Sequence, residues 1–332
     1  MKIAVLGMGS WGYCLARHLA KKNYSVFAWS RRKSLIEEIN KHKRHPRFPQ
    51  KDIPSKLHFS FKLQNCVEDA DYIIEALSSQ GIRPVFEQID KSRLKNSKII
   101  LSSKGLEQDS HQLFSEIIEN ILGTNFRRKI ACLSGPSHAE EVIEELPTSL
   151  IAASNDQQFC LELCHLFETP FFRVYPNTDL LGVEFGAAMK NIIAIACGIS
   201  DGLGFGDNAK AALMTRGLHE IRKLSGVKGC KSDTLNGLSG LGDLCVTCLS
   251  KHSRNYRFGC SIGKGMTRQK AQELISQVVE GAYSCVSAYQ MAKKHGIETP
   301  ITNAVYQILF RELSPKKAVS TLMQRAVKEE HL

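Results

Sequence analysis

The run Lys2-Ile3-Ala4-Val5-Leu6 leads directly into Gly7-Met8-Gly9-Ser10-Trp11-Gly12. A helical pattern follows over residues 11–21, with Trp11, Leu15 and Leu19 on one face, and a second strand-like run covers residues 24–29. Strand, G-x-G-x-x-G turn, helix and strand in that order make a dinucleotide-binding βαβ unit, which leaves few folds open. Each glycine has its own task. Gly7 permits the tight turn, Gly9 lets a pyrophosphate approach the backbone, and Gly12 lets the helix lie close to the strand. The pyrophosphate is expected on the amides that open the helix near Ser10, where the helix dipole favours an anion.

The end of the second strand selects between nicotinamide cofactors. An acid there would hold a ribose 2′-hydroxyl, but this chain has Ser30-Arg31-Arg32. Two guanidinium groups suit a 2′-phosphate, so NADP is expected ahead of NAD, although Arg32 reads equally well as a solvated surface residue.

Further strand-like runs fall at residues 72–77, 98–102, 129–133, 148–153 and 171–175, with helical patterns between most of them, as at 108–122 and 156–167. Such alternation predicts an α/β architecture, a Rossmann-type doubly wound, mostly parallel sheet. Beyond about residue 177 the strand-like runs stop and helical patterns take over at 181–198, 209–224, 268–277, 282–294 and 301–310. We therefore expect a dinucleotide-binding domain over 1–178 and an all-helical substrate-binding and catalytic domain over 179–332. A length of 332 residues suits two domains.

A chain this long buries a full core without staples, so its 11 cysteines are not needed as a disulfide framework. They are scattered through apolar runs and read as reduced thiols of a cytoplasmic protein. Cys245 and Cys248 have C-x-x-C spacing but no second pair or histidine at zinc-like distance, so no metal site is expected. No secretory signal pattern precedes the first strand. The longest apolar stretch, residues 180–199, is interrupted by Glu184, Lys190 and Asn191 and reads as a buried helix, not a membrane span. The net charge of +11 and the basic run at residues 41–47 raise nucleic-acid binding as a rival reading. That run lacks interleaved aromatics and contains Pro46, so a solvated loop and no nucleic-acid partner are expected. A positive balance equally suits a phosphorylated small molecule.

Several polar stretches carry chemistry. Ser102-Ser103-Lys104-Gly105 ends a strand, where parallel sheets bind ligands. Ser134-Gly135-Pro136-Ser137-His138-Ala139-Glu140 follows another strand and opens a helix that would hold a hydroxyl or an anion, with plain helix capping the competing role for Ser137. Lys190 projects from a face shared with Gly186, Ala187, Ile193 and Ala194. A buried ammonium is costly unless paired or functional, and burial lowers its pKa toward acid–base use. A lysine that reaches the helix surface is the competing reading. Gly240-Leu241-Gly242-Asp243 delivers a carboxylate from a glycine turn, and Ser253-Arg254-Asn255 starts a helix with an arginine suited to a phosphate.

Taken in order, the glycine turn, Ser103-Lys104-Gly105-Leu106-Glu107, Ser134-Gly135-Pro136, Lys190-Asn191 with Gly202-Leu203-Gly204-Phe205-Gly206, Leu241-Gly242-Asp243-Leu244, Ser253-Arg254-Asn255 and Gln277-Val278-Val279-Glu280-Gly281 resemble the bacterial NAD(P)-dependent glycerol-3-phosphate dehydrogenases over nearly the whole chain. The resemblance implies reversible reduction of dihydroxyacetone phosphate to sn-glycerol 3-phosphate, supplying phospholipid synthesis, by a cytoplasmic homodimer. It implies Lys190 as the catalytic lysine, acting with Lys104 and Asp243. Lys104, Gly135, Ser137, Lys190, Asp243, Ser253, Arg254 and Asn255 would line the substrate. Ser10, Trp11, Arg31, Lys104, Ala139, Arg254, Val278 and Glu280 would contact the cofactor, beside Gly7, Gly9, Gly12 and Arg32. One departure stands out: the family's usual Val-Pro-Ser-Gln is here Leu77-Ser78-Ser79-Gln80, without the proline, and Glu75 sits inside the preceding strand. The alternative enzyme is another two-domain NADP-dependent reductase of the β-hydroxyacid or ketopantoate type, for which Ser253-Arg254-Asn255 is the wrong substrate loop.

Overall fold

The strand that precedes the glycine turn is buried along its length. Ile3, Ala4, Val5 and Leu6 are fully inaccessible, as a parallel strand covered on both faces must be. The computed structural model describes residues 1–94, 96–108, 110–275, 277–326 and 329–330. The chain divides into two compact units, Met1–Ser103 with Phe114–Leu180, and Lys104–Leu113 with Leu181–Leu332.

The first unit is built on eight strands: β1 (Lys2–Leu6), β2 (Ser25–Trp29), β3 (Leu57–Ser60), β4 (Tyr72–Glu75), β5 (Lys98–Leu101), β6 (Ile130–Ser134), β7 (Thr148–Ser154) and β8 (Phe172–Asn177). Their order in the sheet is β3-β2-β1-β4-β5-β6-β7-β8. The first six follow the dinucleotide-binding order and pair in parallel. Chain order reverses between β1 and β4, and ligands bind off the carboxyl ends of strands at such a switch point. The edge strand β3 is four residues long with an exposed His58, too short to signal itself by alternation. β7 runs antiparallel to β6. The connection between them holds only a four-residue helix, far short of a full crossover helix.

Helices α1 (Ser10–Lys21), α2 (Lys33–His42), α3 (Leu63–Val67), α4 (Ser79–Phe86), α5 (Phe114–Leu122), α6 (Ala139–Val142) and α7 (Gln157–Phe167) complete this unit. Its core joins β-sheet residues such as Val5, Val26 and Ile74 to Leu15 and Leu19 of α1 and Phe159 and Leu163 of α7.

Residues 104–113 correct two expectations. The helix expected from 108 begins only at Phe114, and His111 adopts a left-handed φ of +55°. The division expected at 178/179 placed this segment in the first domain. Instead Leu106 and Leu113 are buried in the core of the helical unit, and Ser287 Oγ donates to the Gln108 carbonyl.

Among the described residues of the second unit the regular elements are all helical: α8 (Leu180–Gly202), α9 (Asp207–Ser225), α10 (Asp243–Leu249), α11 (Arg254–Gly263), α12 (Arg268–Ile275), α13 (Glu280–His295), α14 (Pro300–Phe310) and α15 (Pro315–Met323). Short 3₁₀ turns and a π-helical turn, Leu238–Gly242, link α9 to α10. α8 is apolar nearly all round. It is long and apolar enough to cross a membrane, yet 94% of that stretch is buried in the protein.

Candidate active site

The dinucleotide turn can be tested glycine by glycine. Gly7 has a φ of +109°, and a Cβ there would lie 2.3 Å from the Ala76 carbonyl oxygen. A Cβ at Gly12 would lie 1.9 Å from the Gly7 carbonyl oxygen, so helix and turn pack backbone to backbone. A Cβ at Gly9 would meet nothing within 4 Å. Gly9 is also the N-cap of α1 and supplies no side-chain acceptor, leaving open space in front of uncapped helix amides. That cradle fits the pyrophosphate of a dinucleotide. Trp11 is half-buried against the core, and Arg31 and Arg32 are exposed just past β2, where Ser30 Oγ accepts from the Arg32 backbone N–H.

The basic run at 41–47 is not simply a solvated loop. Lys41 and His42 end α2, and Lys43 and Arg44 are exposed, but His45 is 1% exposed and stacks on Tyr13. Buried Tyr13 of α1 draws this segment down, which charge counting does not register.

At the carboxyl end of β4, Glu75 is fully buried. Its Oε1 accepts from the Leu77 N–H at 2.5 Å and the Ser103 hydroxyl at 2.7 Å, and Oε2 accepts from the Ser103 N–H at 3.3 Å. Ser102 Oγ donates to the Glu75 carbonyl. Burial pushes the Glu75 carboxyl up to about 7, against the pull of the Ser103 and Leu77 hydrogen bonds. These bonds fasten the loop after β4 to the end of β5, the segment that lacks the family's proline. The carbonyl of Ala76 in that loop is the atom against which Gly7 fits.

Beyond β6, Gly135 has a φ of +132°. Ser137 Oγ donates to the Gly135 carbonyl at 3.0 Å. It does not cap α6, whose N-cap is His138. Ala139 opens α6, and its carbonyl accepts from the Cys14 thiol.

In the helical unit Lys190 is 5% exposed, which removes the surface reading. Its ammonium donates to Asp243 Oδ1 and to Thr247 Oγ1 at 2.5 Å. The other carboxylate oxygen of Asp243 lies 2.9 Å from the ammonium of Lys104, and Thr247 Oγ donates to the Asp243 carbonyl at 2.6 Å. Asp243 is 1% exposed and follows directly on the π-helical turn Leu238–Gly242. One carboxylate thus holds two ammonium groups. Burial lowers the Lys190 pKa to about 7; the Asp243 charge raises it and the Lys104 charge lowers it further. A buried ammonium poised near neutrality is suited to donating and regaining a proton. Thr247 escaped the sequence reading; its signal was its position one turn after Asp243 on the same helix.

The Ser253-Arg254-Asn255 stretch divides its labour. Ser253 Oγ caps α11, accepting from the Tyr256 N–H. Asn255 Nδ2 donates to Asn191 Oδ1 at 3.0 Å, and Asn255 Oδ1 accepts from the Gly281 N–H at 2.9 Å. Asn255 therefore ties α8, α11 and α13 together, while one N–H and one lone pair of its amide stay available. Arg254 is exposed and its guanidinium donates to Gln277 Oε1 at 3.4 Å, beside half-buried Val278 and Glu280.

Known proteins match along the entire chain. A model of the N-terminal part of NAD-dependent glycerol-3-phosphate dehydrogenase covers residues 2–160, and a model of the C-terminal part covers residues 179–320. The glycerol-3-phosphate dehydrogenase [NAD(P)+] of Protochlamydia amoebophila is 50% identical over 331 residues, 100% of this chain and 99% of that protein. The structure of glycerol-3-phosphate dehydrogenase from Coxiella burnetii superposes with a TM-score of 0.92 at 40% identity, over 98% of this chain and 99% of that one. A ketopantoate reductase from Ralstonia eutropha, the rival architecture, reaches a TM-score of 0.62 at 15% identity over 96% of this chain and 100% of that one, a likeness of fold alone. With both halves matched and half of its residues identical to a full-length relative, the chain belongs to the NAD-dependent glycerol-3-phosphate dehydrogenase family.

Proposed function

We propose that this protein reversibly reduces dihydroxyacetone phosphate to sn-glycerol 3-phosphate with NADPH or NADH. The buried Lys190–Asp243–Lys104 cluster supports this reading most directly. The nicotinamide supplies the hydride when bound. The residues must orient the ketone and stabilise the alkoxide that develops on its oxygen. Lys190 donates a proton to that oxygen and takes it back in the reverse direction. Asp243 keeps Lys190 charged, and Lys104 adds a second positive charge at the same carboxylate. By the family resemblance Gly135, Ser137, Ser253, Arg254 and Asn255 line the substrate, with Arg254 on its phosphate. Ser10, Trp11, Ala139, Val278 and Glu280 serve the cofactor, along with Lys104 and Arg254. Arg31, with Arg32 beside it, favours NADPH over NADH. The dinucleotide falls to the sheet-bearing domain and the ketone chemistry to the helical one, with Lys104 carried by the segment that joins the helical core. The same resemblance supports a cytoplasmic homodimer whose product enters phospholipid synthesis.

Cofactor oxidation is measured with dihydroxyacetone phosphate, ketopantoate and β-ketoacids in parallel, each with NADPH and NADH. Turnover of the triose phosphate alone is expected; no turnover of it refutes the proposal. Lys190→Ala is expected to abolish turnover while dinucleotide binding persists.

A further inference from the structure

We propose that Arg47 is a cofactor-binding residue that holds the dinucleotide pyrophosphate from outside the glycine turn. The proposal rests on the dehydrogenase reading and adds a residue to it. Arg47 lies in the segment expected to be solvated, yet its guanidinium donates to Ser10 Oγ at 2.8 Å, at the first residue of α1. A chain of hydrogen bonds sets it there. The His45 Nε2–H donates to the Met8 carbonyl inside the glycine turn at 3.2 Å, and His45 Nδ1 accepts from the Arg47 backbone N–H at 3.3 Å. Only a neutral imidazole can do both. Burial enforces that state by lowering the His45 pKa to about 4. The ring stacks on Tyr13 with centroids 4.3 Å apart, and Phe48 on the far side of Arg47 is 5% exposed and stacks on Tyr13 as well. Arg47 is thereby carried on a built platform over the turn, not on a free loop.

The electrostatics point to an anion. Burial and the neighbouring Arg32 cation both work against the Arg47 charge, with Glu140 a partial counterweight. The Arg47 guanidinium stands beside the uncapped helix amides and the open space at Gly9, with the Arg32 charge close enough to act on it, so positive charge gathers where no side chain of the turn offsets it. A pyrophosphate carries two negative charges, and a planar guanidinium suits its oxygens. Ser10, the partner of Arg47, belongs to the helix start, so Arg47 addresses the part shared by NADPH and NADH. The 2′-phosphate is left to Arg31 and Arg32 past β2.

Binding of NADH and of NADPH to the whole protein is titrated without ketone, for the unaltered chain, Arg47→Ala, Arg47→Lys and Arg31→Ala. Arg47→Ala is expected to weaken both cofactors by the same factor, about tenfold, as loss of one charge-assisted contact would. Arg47→Lys is expected to recover part of that affinity, and added salt to narrow the gap between Arg47→Ala and the unaltered chain. A residue that only holds the loop in place would show neither the lysine recovery nor the salt effect. Arg31→Ala is expected to weaken NADPH alone. Unchanged affinity in Arg47→Ala, or a loss confined to NADPH, overturns the proposal. If Arg47→Ala fails to fold, Arg47→Lys decides alone: the unaltered salt sensitivity at reduced affinity supports the proposal, and affinity equal to the unaltered chain with no salt sensitivity overturns it. Failure of the unaltered chain to bind either dinucleotide overturns the dehydrogenase reading itself, a separate result.

Discussion

Asp243→Asn isolates the electrostatic role of the buried carboxylate. The substitution keeps the shape of the side chain and removes its charge from two ammonium groups, one on each oxygen. Loss of one partner from a buried ion pair costs about 3–5 kcal/mol. The Lys104 side chain is 20% exposed and can turn to water, whereas that of Lys190 is 6% exposed and cannot. Assigning about 3 kcal/mol to Lys190 lowers its pKa by about two units, at 1.36 kcal/mol per unit. From about 7 in the native protein it falls to about 5 in the variant. Ketone reduction needs the charged ammonium, which exists below the pKa and is lost above it. The reduction rate should therefore fall off about two pH units lower in the variant, leaving it about 50-fold slower at neutrality. Glycerol phosphate oxidation needs the neutral amine, so its rising limb should move to lower pH by the same amount and its rate at neutrality should survive. Initial rates of NADPH oxidation and NADP reduction across the pH range measure both limbs. A reduction limb that stays in place or moves to higher pH, or equal losses in both directions, refutes the assignment of Asp243 as the group that keeps Lys190 charged.

Three further perturbations follow from the same structure. Glu75 titrates near 7 in the fold against 4.5 unfolded, so its contribution to stability is complete below pH 4.5 and lost as pH rises through 7. Glu75→Gln should flatten that dependence, by about 3 kcal/mol across the window; thermal melts that keep the native slope contradict the burial argument. Gly12→Ala places a Cβ 1.9 Å from the Gly7 carbonyl oxygen and should weaken both dinucleotides by well over tenfold; calorimetric titration giving native affinity disproves the backbone contact. Thr247→Val removes an acceptor from the buried Lys190 ammonium, which costs about 1–3 kcal/mol and should shift the reduction limb to lower pH without changing the KM for cofactor; a change in cofactor KM alone rules out this role.

The parts of the molecule legible from sequence are those whose physics is local. The glycine turn could be read because each glycine answers to a neighbour within its own βαβ unit. Lys190 could be read because Gly186, Ala187, Ile193 and Ala194 share its helix face, and periodicity reports how buried a face is. What stayed hidden is pairing across long separations. Nothing along the chain joins Glu75 to Ser103 or Lys104 to Asp243, since each bond depends on a return path set by the whole fold. The edge strand β3 was obscured for another reason, because a four-residue element is decided by its neighbours more than by propensity; the strand of β7 was legible, but its antiparallel direction depends on the short connection from β6. His45 and Arg47 were misjudged by composition: a basic run looks solvated until an aromatic surface such as Tyr13 offers it a seat.

The allotment of residues 104–113 to the helical unit has a consequence for anyone who wishes to take the protein apart. The polypeptide enters that unit at Lys104, leaves it after Leu113 and enters again at Leu181. A single cut near residue 180 would yield an N-terminal fragment carrying ten residues whose core is missing, with Leu106 and Leu113 laid bare. The C-terminal fragment would lack those same leucines and the ammonium of Lys104 on Asp243. The two units cannot be divided with a single cut, and any chimaera that trades one unit between relatives must trade two stretches of chain together.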